Sequence, residues 1–299
     1  MNTEVVIVGG GPAGLSAALV LGRCRRRVVL YDHGRYRNAR ARAVHGYLTR
    51  DGMDPGELRR IGRQEVARYP SVSIRGGEVV SARAVEGGFE IEDRAGMRTT
   101  CRKLLLATGL TDRIPRLLGM EDLVGVCAHH CPYCDGWELR DEPLIAYGLG
   151  DTGALLALEL TQWSPDVVLC TGGRSPEAPL RERLARFDIA VHEHPIARVS
   201  GSSSSVTLHF ADGGQLTRRA LFYSEGCEPS TPLAAQLGVD FTPKGSIEVG
   251  RLETTNVPGV YVAGDASRDA LQAIVAAGEG SKAAVAINRA LFKEDMLRG

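Results

Sequence analysis

The fold of this chain is decided by residues 5–14, Val-Val-Ile-Val-Gly-Gly-Gly-Pro-Ala-Gly. A β-branched run that ends in glycines and continues into an Ala-rich segment predicts a strand, a tight turn and a helix. The glycines form a G-x-G-x-x-G pattern, in which the backbone approaches a pyrophosphate and the helix packs closely on the strand. The candidate phosphate-binding turn comprises Gly9, Gly11, Pro12, Ala13 and Gly14.

A second apolar run strengthens this interpretation. Residues 28–32, Val-Val-Leu-Tyr-Asp, predict a strand that ends in an acid 18 residues after Gly14. An acid at that place bonds a ribose hydroxyl, so Asp32 is a candidate ligand. A lone glycine pattern is weak evidence, since a glycine-rich turn can have no function. The strand context and the terminal acid together favour a dinucleotide-binding unit.

The same order of features occurs twice along the chain. The apolar run 144–147 precedes Gly148, Gly150 and Gly153, and a helical segment follows them. In each copy a further strand, an alternating antiparallel β-meander and a final strand ending in glycine come next; in the first copy the meander is predicted over residues 72–103. Such a repeat predicts two homologous nucleotide-binding units.

A last strand, at 259–265, ends in Gly-Asp and is followed by a long Ala-rich helix, 272–292; both belong with the first unit. We therefore predict an α/β fold with two Rossmann-like nucleotide-binding domains, each with a ββα-type core and a small β-meander, the second inserted into the first. The predicted domain ranges are 1–116, 117–243 and 244–299.

The sequence Cys131-Pro132-Tyr133-Cys134-Asp135-Gly136 carries the chemistry. Two cysteines separated by two residues can close into a reversible disulfide, and a helix start lowers a cysteine pKa. Asp135 lies within one turn of both sulfurs and can exchange a proton with them. Half of a zinc site and a structural disulfide are the alternatives. We favour the redox interpretation because the other cysteines are scattered singly, at 24, 101, 127, 170 and 227.

Composition narrows the class of partner. Lys plus Arg equal Asp plus Glu at 36 each, so no overall field attracts nucleic acid or anionic lipid. No uninterrupted apolar run reaches the ~18 residues that span a bilayer, and no basic leader precedes the first strand. The expectation is a cytoplasmic enzyme that binds neither nucleic acid nor membrane.

Taken together, GGGPAG, ATG at 107–109, the central CxxCDG, the second G-x-G-x-x-G and VAGD at 262–265 resemble the low-molecular-weight thioredoxin reductases over essentially the whole chain. The resemblance implies a glutathione-reductase-type fold, a homodimer and a non-covalent FAD. It also implies that Cys134 lies against the flavin, that Cys131 exchanges with the substrate and that Asp135 is the acid. The implied FAD-binding residues are Gly9, Gly11, Pro12, Ala13, Gly14, Asp32, Ala107, Thr108, Gly109, Gly264, Asp265, Gln272 and Ala273.

Two departures from that family concern the electron donor and the substrate. Thioredoxin reductases usually carry Ala-Thr between the cysteines, whereas this chain has Pro132-Tyr133, preceded by His129 and His130. They also place a His-Arg-Arg cluster after the second strand of the NADPH domain, where this chain has the segment 171–174, Thr-Gly-Gly-Arg. The use of NADPH is therefore left open. Candidate residues for a nicotinamide nucleotide are Gly148, Gly150, Gly153 and Arg174.

A proline and an aromatic residue between the cysteines are similar to another branch of the superfamily, the dithiol oxidases of holomycin, gliotoxin and romidepsin biosynthesis. That resemblance implies oxidation of a small-molecule dithiol, with O2 as electron acceptor and no need for NADPH. His129 or His130 then deprotonates the incoming thiol. Two alternatives stay open: an NADPH-dependent reductase acting on a thioredoxin-like protein, and a flavin redox sensor without turnover.

Overall fold

The structure is a computed structural model that describes residues 3–243, 245–267 and 270–298. The chain forms two compact units. The first contains Met1–Ala39, Gly46–Thr111 and Cys227–Gly299, and the second contains Arg40–His45 and Asp112–Gly226. The predicted second domain, 117–243, extends further along the chain than the second unit, and Lys244, where the third predicted segment begins, lies outside the described residues.

Residues 227–243 belong to the first unit for a physical reason. Leu233 and Ala234, on a one-turn helix, are buried in the same apolar cluster as Val79 and Ile91. No shift in composition marks this segment, so the sequence offered no boundary at 227.

The first unit is built around a mixed sheet, with α1 and α7 packed on one face. Its elements are β1 (Thr3–Val8), α1 (Pro12–Arg23), β2 (Val28–Asp32), α2 (Pro55–Val66), β3 (Val72–Gly76), β4 (Val79–Val85), β5 (Gly88–Asp93), β6 (Arg98–Leu106) and β7 (Leu110–Asp112), and, after the second unit, β16 (Cys227–Pro229), α6 (Leu233–Gln236), β17 (Val260–Val262) and α7 (Ala273–Arg298). The strand order is β3-β2-β1-β6-β5-β4, with β17 paired to β6 and a separate ribbon formed by β7 and β16.

Strand β1 lies at the centre of this sheet, parallel to β2 and β6. Its side chains alternate between the two faces of the sheet and belong to two separate apolar cores. Val5 and Ile7 pack with apolar residues of α1 and α7, whereas Val6 and Val8 pack against the meander and α6. The predicted placement of residues 72–76 in an antiparallel meander is wrong, because β3 pairs in parallel with β2. Of the strands in the predicted meander, β4, β5 and β6 pair antiparallel.

The second unit repeats the plan with a shorter sheet. Its elements are β8 (Ala128–His129), α3 (Pro132–Asp135), β9 (Leu144–Tyr147), α4 (Gly150–Leu160), β10 (Val167–Cys170), α5 (Ala178–Arg186), β11 (Ala190–His192), β12 (Ile196–Ser202), β13 (Ser205–Phe210), β14 (Gln215–Arg218) and β15 (Ala220–Tyr223). A parallel sheet has the order β11-β10-β9-β15-β8, and β12, β13 and β14 form a separate antiparallel meander.

The predicted α/β fold with two Rossmann-like nucleotide-binding domains is therefore confirmed. In both units a central apolar strand is followed by a glycine turn and a helix, as the repeat predicts. Within the residues described, no helix combines the length and the apolar character that crossing a bilayer requires.

Candidate redox and nucleotide-binding sites

The first glycine turn is a tight backbone cradle at the start of α1. A Cβ on Gly9 would lie 2.1 Å from the carbonyl oxygen of Ala107, and one on Gly14 would lie 1.8 Å from that of Gly9. Gly11 differs, because no heavy atom of the described residues lies within 4 Å of the place a Cβ would take. The first amides of α1 have no partner within the helix, and they face a position that suits an anion. The turn fits a pyrophosphate.

Four strand ends meet at this turn. The amide of Gly9 donates to the carbonyl of Tyr31 at 2.8 Å, and the amide of Ala107 donates to Val8 at the same distance. These bonds fix the ends of β1, β2 and β6 side by side, and β17 joins them beside β6. The carboxyl ends of such strands form the ligand crevice of an open α/β sheet. The structure thus brings Thr108, Gly109 and Gly264 to the edge that also holds the glycine turn.

Asp32 is buried beside the turn, at the end of β2. Its carboxylate accepts hydrogen bonds from the Gly34 amide (2.9 Å) and the Tyr36 hydroxyl (2.6 Å), and it pairs with Arg63. Burial raises the pKa of Tyr36, and the bond to Asp32 raises it further, so the phenol keeps its proton and donates. Gly10 lies directly against the carboxylate. A ribose hydroxyl at this corner would share Asp32 with Tyr36.

The segment after β17 supplies the other wall of the crevice. The amide of Gly264 donates to the buried carboxylate of Glu279 at 2.8 Å. Asp265 pairs with Arg37 at 2.9 Å. Gln272 immediately precedes α7, where its carbonyl accepts from the amide of Ala276, while Ala273 is the first residue of that helix. FAD would be held by these groups together with the glycine turn and Asp32.

Sequence reasoning missed several polar residues of this crevice. They are Tyr36, Arg37, Arg63 and Glu279. Glu279 left one usable signal, because it is a lone acid in the run 273–280, whose other residues are Ala, Ile, Val and Gly. No motif in the sequence marks the other three. Tyr36 bonds Asp32 from an irregular segment four residues later, and Arg37 and Arg63 meet partners that are distant along the chain.

The two cysteines of the CxxC motif are joined by a disulfide, with their Cα atoms 5.2 Å apart. Cys131 is the N-cap of α3 and Pro132 is its first residue, which suits a proline because no amide is needed there. The amides of Cys134 and Asp135 both donate to the Cys131 carbonyl, at 3.1 and 3.2 Å. Both cysteines are half-buried.

The two histidines before the motif have different partners. His129 Nδ1 lies 3.3 Å from Asp135 Oδ1, and the ring of His129 packs on that of Phe222. His130 Nε2 lies instead 3.6 Å from Asp112 Oδ2. Successive side chains at the end of β8 point to opposite sides, which accounts for the split. The structure therefore brings His129 and Asp135 together as a candidate acid–base pair beside the disulfide turn.

Aromatic side chains surround the disulfide turn. Tyr133 is 61% exposed and meets Trp163 edge to face, with ring centroids 5.4 Å apart. Gly136 lies flat against the same indole, since a Cβ there would be 2.8 Å from Trp163 Cδ2. Trp137, 66% exposed, carries Arg140 over its ring. Close packing on Trp163 holds the turn in place, while the outer faces of Tyr133 and Trp137 remain open.

The remaining cysteines are set apart from this chemistry. Burial raises the pKa of Cys101 and of Cys170 to about 12, and it also raises that of Cys127. Their thiolate forms are scarce at neutral pH, and the thiolate is the reactive form. Cys24 is exposed and Cys227 is half-buried.

We expect alkylation to sort these cysteines cleanly. N-ethylmaleimide at pH 7.5 should label Cys24 first and Cys227 more slowly, and leave Cys101, Cys127 and Cys170 unmodified in the native protein, as mass spectrometry of peptides would show. A thiol pKa of about 12 instead of 9.0 reduces the thiolate fraction at this pH about 1000-fold. If the thiolates react with equal rate constants, the labelling rate falls by the same factor. Cys131 and Cys134 should join the labelled set only after reduction with dithiothreitol. Fast labelling of Cys101 or Cys170 without denaturant would contradict this assignment.

The second glycine turn has the same steric construction as the first. A Cβ on Gly153 would lie 2.1 Å from the carbonyl oxygen of Gly148. The amide of Gly150 already donates to the carbonyl of Arg174 at 3.0 Å. The structure thus brings Gly148, Gly150, Gly153 and Arg174 together at the start of α4. After β10, Gly172 and Gly173 have φ of 60° and 107°, a backbone in which a side chain such as arginine is strained.

A metal site was the rival interpretation of the cysteine pair. Across residues 3–243, 245–267 and 270–298, no group of three or more His, Cys, Asp or Glu side chains is arranged to hold a metal ion.

Comparison with known proteins identifies the family. The family model for pyridine nucleotide-disulphide oxidoreductases matches residues 3–280, so the chain belongs to that family. It is 32% identical to a probable thioredoxin reductase of Arthroderma benhamiae, over 97% of this chain and 81% of that protein. It is also 32% identical to thioredoxin reductase tcpT of Claviceps purpurea, over 88% of this chain and 86% of that one.

Among solved structures, the crystal structure of HlmI superposes with a TM-score of 0.95 at 34% identity, covering 99% of this chain and 95% of that one. The chain is thus a thioredoxin reductase-like oxidoreductase. Enzymes of this type use FAD and NADPH. The glycine turn, Asp32 and the crevice at the strand ends fit FAD; after the second strand of the second unit, residues 171–174 carry one basic residue, Arg174.

Proposed function

We propose that the protein is an FAD-dependent dithiol oxidase, which closes a disulfide in a small-molecule dithiol with O2 as the final electron acceptor. The observation that carries the proposal is the half-buried Cys131–Cys134 disulfide at the start of α3, beside the His129–Asp135 pair. The absence of basic residues directly after β10, where Gly172 and Gly173 stand, supports an enzyme that does not depend on NADPH.

The thiol–disulfide steps follow from the positions of these side chains. A substrate thiolate attacks Cys131 Sγ; the bond between the two cysteines breaks, and its electron pair leaves on Cys134 Sγ. The second substrate thiol, once deprotonated, attacks the substrate sulfur of the mixed disulfide and releases Cys131 as a thiolate. The substrate loses two electrons and two protons, and the cysteine pair gains the electrons. Bound FAD would supply the route by which these two electrons reach O2 and reduce it to hydrogen peroxide.

Proton transfer is the part of the reaction that His129 and Asp135 support. An imidazole is a base near neutral pH, and a carboxylate beside Nδ1 stabilises the imidazolium that forms when it takes a proton. His130, paired with Asp112, is the less favoured base in this proposal. We propose that Asp135 passes a proton to the Cys134 thiolate as the disulfide opens, because Asp135 follows Cys134 directly in the same turn.

The tightly built turn and the exposed aromatic rings favour a small substrate. Tyr133 and Trp137 offer flat apolar surface next to the disulfide, which suits a compact ring-bearing dithiol. A thioredoxin-like protein is the alternative partner. An NADPH-dependent thioredoxin reductase is favoured by one observation, the intact second glycine turn at Gly148, Gly150 and Gly153.

Anaerobic titration of the purified yellow protein separates the two functions. We expect a dithiol such as dithiothreitol to bleach the flavin absorbance near stoichiometrically, whereas NADPH at a similar concentration should leave most of it oxidised. In air, the dithiol should support steady oxygen uptake. Fast bleaching by NADPH, followed by reduction of thioredoxin, would favour the reductase instead. Dithiol bleaching without steady oxygen uptake would point to a redox sensor.

We further propose that the protein works in the cytoplasm as a homodimer. Three exposed apolar residues, Val285, Phe292 and Met296, are spaced by seven and four positions on α7, and so share one face of that helix. An apolar stripe of this kind is a common feature of subunit contacts. Light scattering after size-exclusion chromatography measures the mass directly; a single species of 32.1 kDa would contradict the dimer.

A further inference from the structure

The ribose end of the second nucleotide-binding fold is built from two neighbouring strand ends. In Rossmann folds, residues after the second strand meet the ribose, and an arginine nearby accommodates a 2′-phosphate. Here that strand is β10. The amide of Thr171, directly after it, donates to the carbonyl of His192, the last residue of β11, at 3.0 Å. Glu193 follows His192 and therefore stands at the same corner.

Glu193 holds the nearest arginine in an ion pair. Arg181 Nη2 lies 2.7 Å from Glu193 Oε1, and its Nε donates to the Pro176 carbonyl at 3.1 Å. The hydroxyl of Ser175 donates to the same Glu193 oxygen at 2.6 Å. Arg181 thus lies across the start of α5 with two of its donor groups occupied, and both side chains of the pair are about half exposed, at 49% and 43%.

The other arginine of this region serves a different place. Arg174 crosses the glycine turn, because a Cβ on Gly150 would lie 3.6 Å from Arg174 Nε. That position belongs to the pyrophosphate end of the fold and not to the ribose. At the ribose corner, the positive charge of Arg181 is cancelled by the negative charge of Glu193. A phosphate that approached it would meet a carboxylate and an arginine already committed.

We propose that Glu193 is the residue by which the second fold discriminates against a 2′-phosphorylated nucleotide. It acts in two ways, by engaging Arg181 and by presenting a like charge to the phosphate. The inference deepens the proposed function and rests on it in one respect, that a 2′-phosphorylated nicotinamide nucleotide is not the electron donor. Arginine at position 172 or 173 would be strained by the positive φ of the backbone. Removal of the Glu193 charge is therefore the simplest way to release a cation, Arg181, at the ribose corner.

The test compares two nucleotides that differ only in the 2′-phosphate, namely 2′,5′-ADP and 5′-AMP. Calorimetric titration of the flavin-loaded protein should show 2′,5′-ADP binding about 5- to 10-fold more tightly to Glu193→Gln than to the wild type, while 5′-AMP changes less than about twofold. Glu182→Gln is the matched control, because it removes the same charge from an exposed position on α5. Arg181→Ala added to Glu193→Gln should abolish the gain.

Any of the following outcomes would contradict the inference. If Glu193→Gln leaves 2′,5′-ADP binding unchanged, or strengthens both nucleotides equally, Glu193 does not discriminate. A gain of the same size in Glu182→Gln would trace the effect to net charge alone. If neither nucleotide binds any variant, the fold has no ribose site to control. These are binding measurements, so they separate from the proposed oxidase activity, which dithiol-dependent oxygen uptake reports independently.

Discussion

Replacing Cys131 with serine should reduce dithiol-dependent oxygen uptake by at least about 1000-fold, with bound flavin retained. A serine hydroxyl cannot form a disulfide with Cys134, so no acceptor remains for the substrate thiolate. Cys134→Ser should cause a loss of similar size, because Cys131 then has no second cysteine with which to form the disulfide that the substrate attacks. Oxygen electrode traces with dithiothreitol measure both rates, and the flavin absorbance of each variant shows that the fold is intact.

The two variants should differ in what they trap. In Cys134→Ser the Cys131 thiolate is free to attack an added disulfide, and the resulting mixed disulfide has no second cysteine to resolve it. Mass spectrometry should therefore find a stable adduct on Cys131 in this variant. Cys24→Ser is the matched control, since Cys24 is exposed and lies outside the motif; its activity should equal that of the wild type. Full activity in both motif variants would refute the assignment of the site.

Alanine at the first glycine turn should separate cofactor binding from folding. Gly11→Ala places its methyl group in open space, so the protein should fold normally, but a pyrophosphate in the cradle would collide with it. We expect the purified variant to have lost most of its flavin, with affinity weakened by about 10- to 100-fold. Gly14→Ala instead drives a methyl group into the carbonyl of Gly9 and should cost about 3 kcal/mol or more of stability.

The matched control for both is Gly278→Ala. Gly278 lies on α7 with no heavy atom of the described residues within 4 Å of its missing Cβ, and it should gain up to about 1 kcal/mol of helix stability. The ratio of flavin absorbance to protein absorbance and the thermal unfolding midpoint of the flavin-free protein report the two effects separately. Normal flavin content in Gly11→Ala would show that the cradle does not hold the pyrophosphate.

The parts of the fold that sequence reasoning predicted correctly are local. The glycine turns and the proline at the first position of α3 depend on backbone conformations that a few adjacent residues impose. The parts that it missed are set by distant contacts. Strand β3 was assigned to a meander because its own residues do not reveal that β2, some 40 residues earlier, is its partner.

The candidate sites show the same division. Asp32 could be named from its place at the end of a strand, yet its partners Tyr36 and Arg63 come from a loop and from α2, whose paths no motif encodes. Likewise, Arg181 could be noted as a spare cation, but its pairing with Glu193 depends on how β10 and β11 align. The partners that a charged side chain has in the fold therefore have to be known before its role toward a ligand can be argued.

The position of β17 has a consequence for the way the chain is made. Val260–Val262 complete the sheet beside β6, and α7 then covers α1, although 150 or more residues separate these partners along the sequence. A ribosome must therefore release the whole of the second unit before the first can close. During translation, the edge of β6 and the apolar face of α1 stay exposed until β17 and α7 have been synthesised. The second unit, in the middle of the polypeptide, can therefore complete its fold first, and the opening residues reach their native packing only after β17 and α7 have been made.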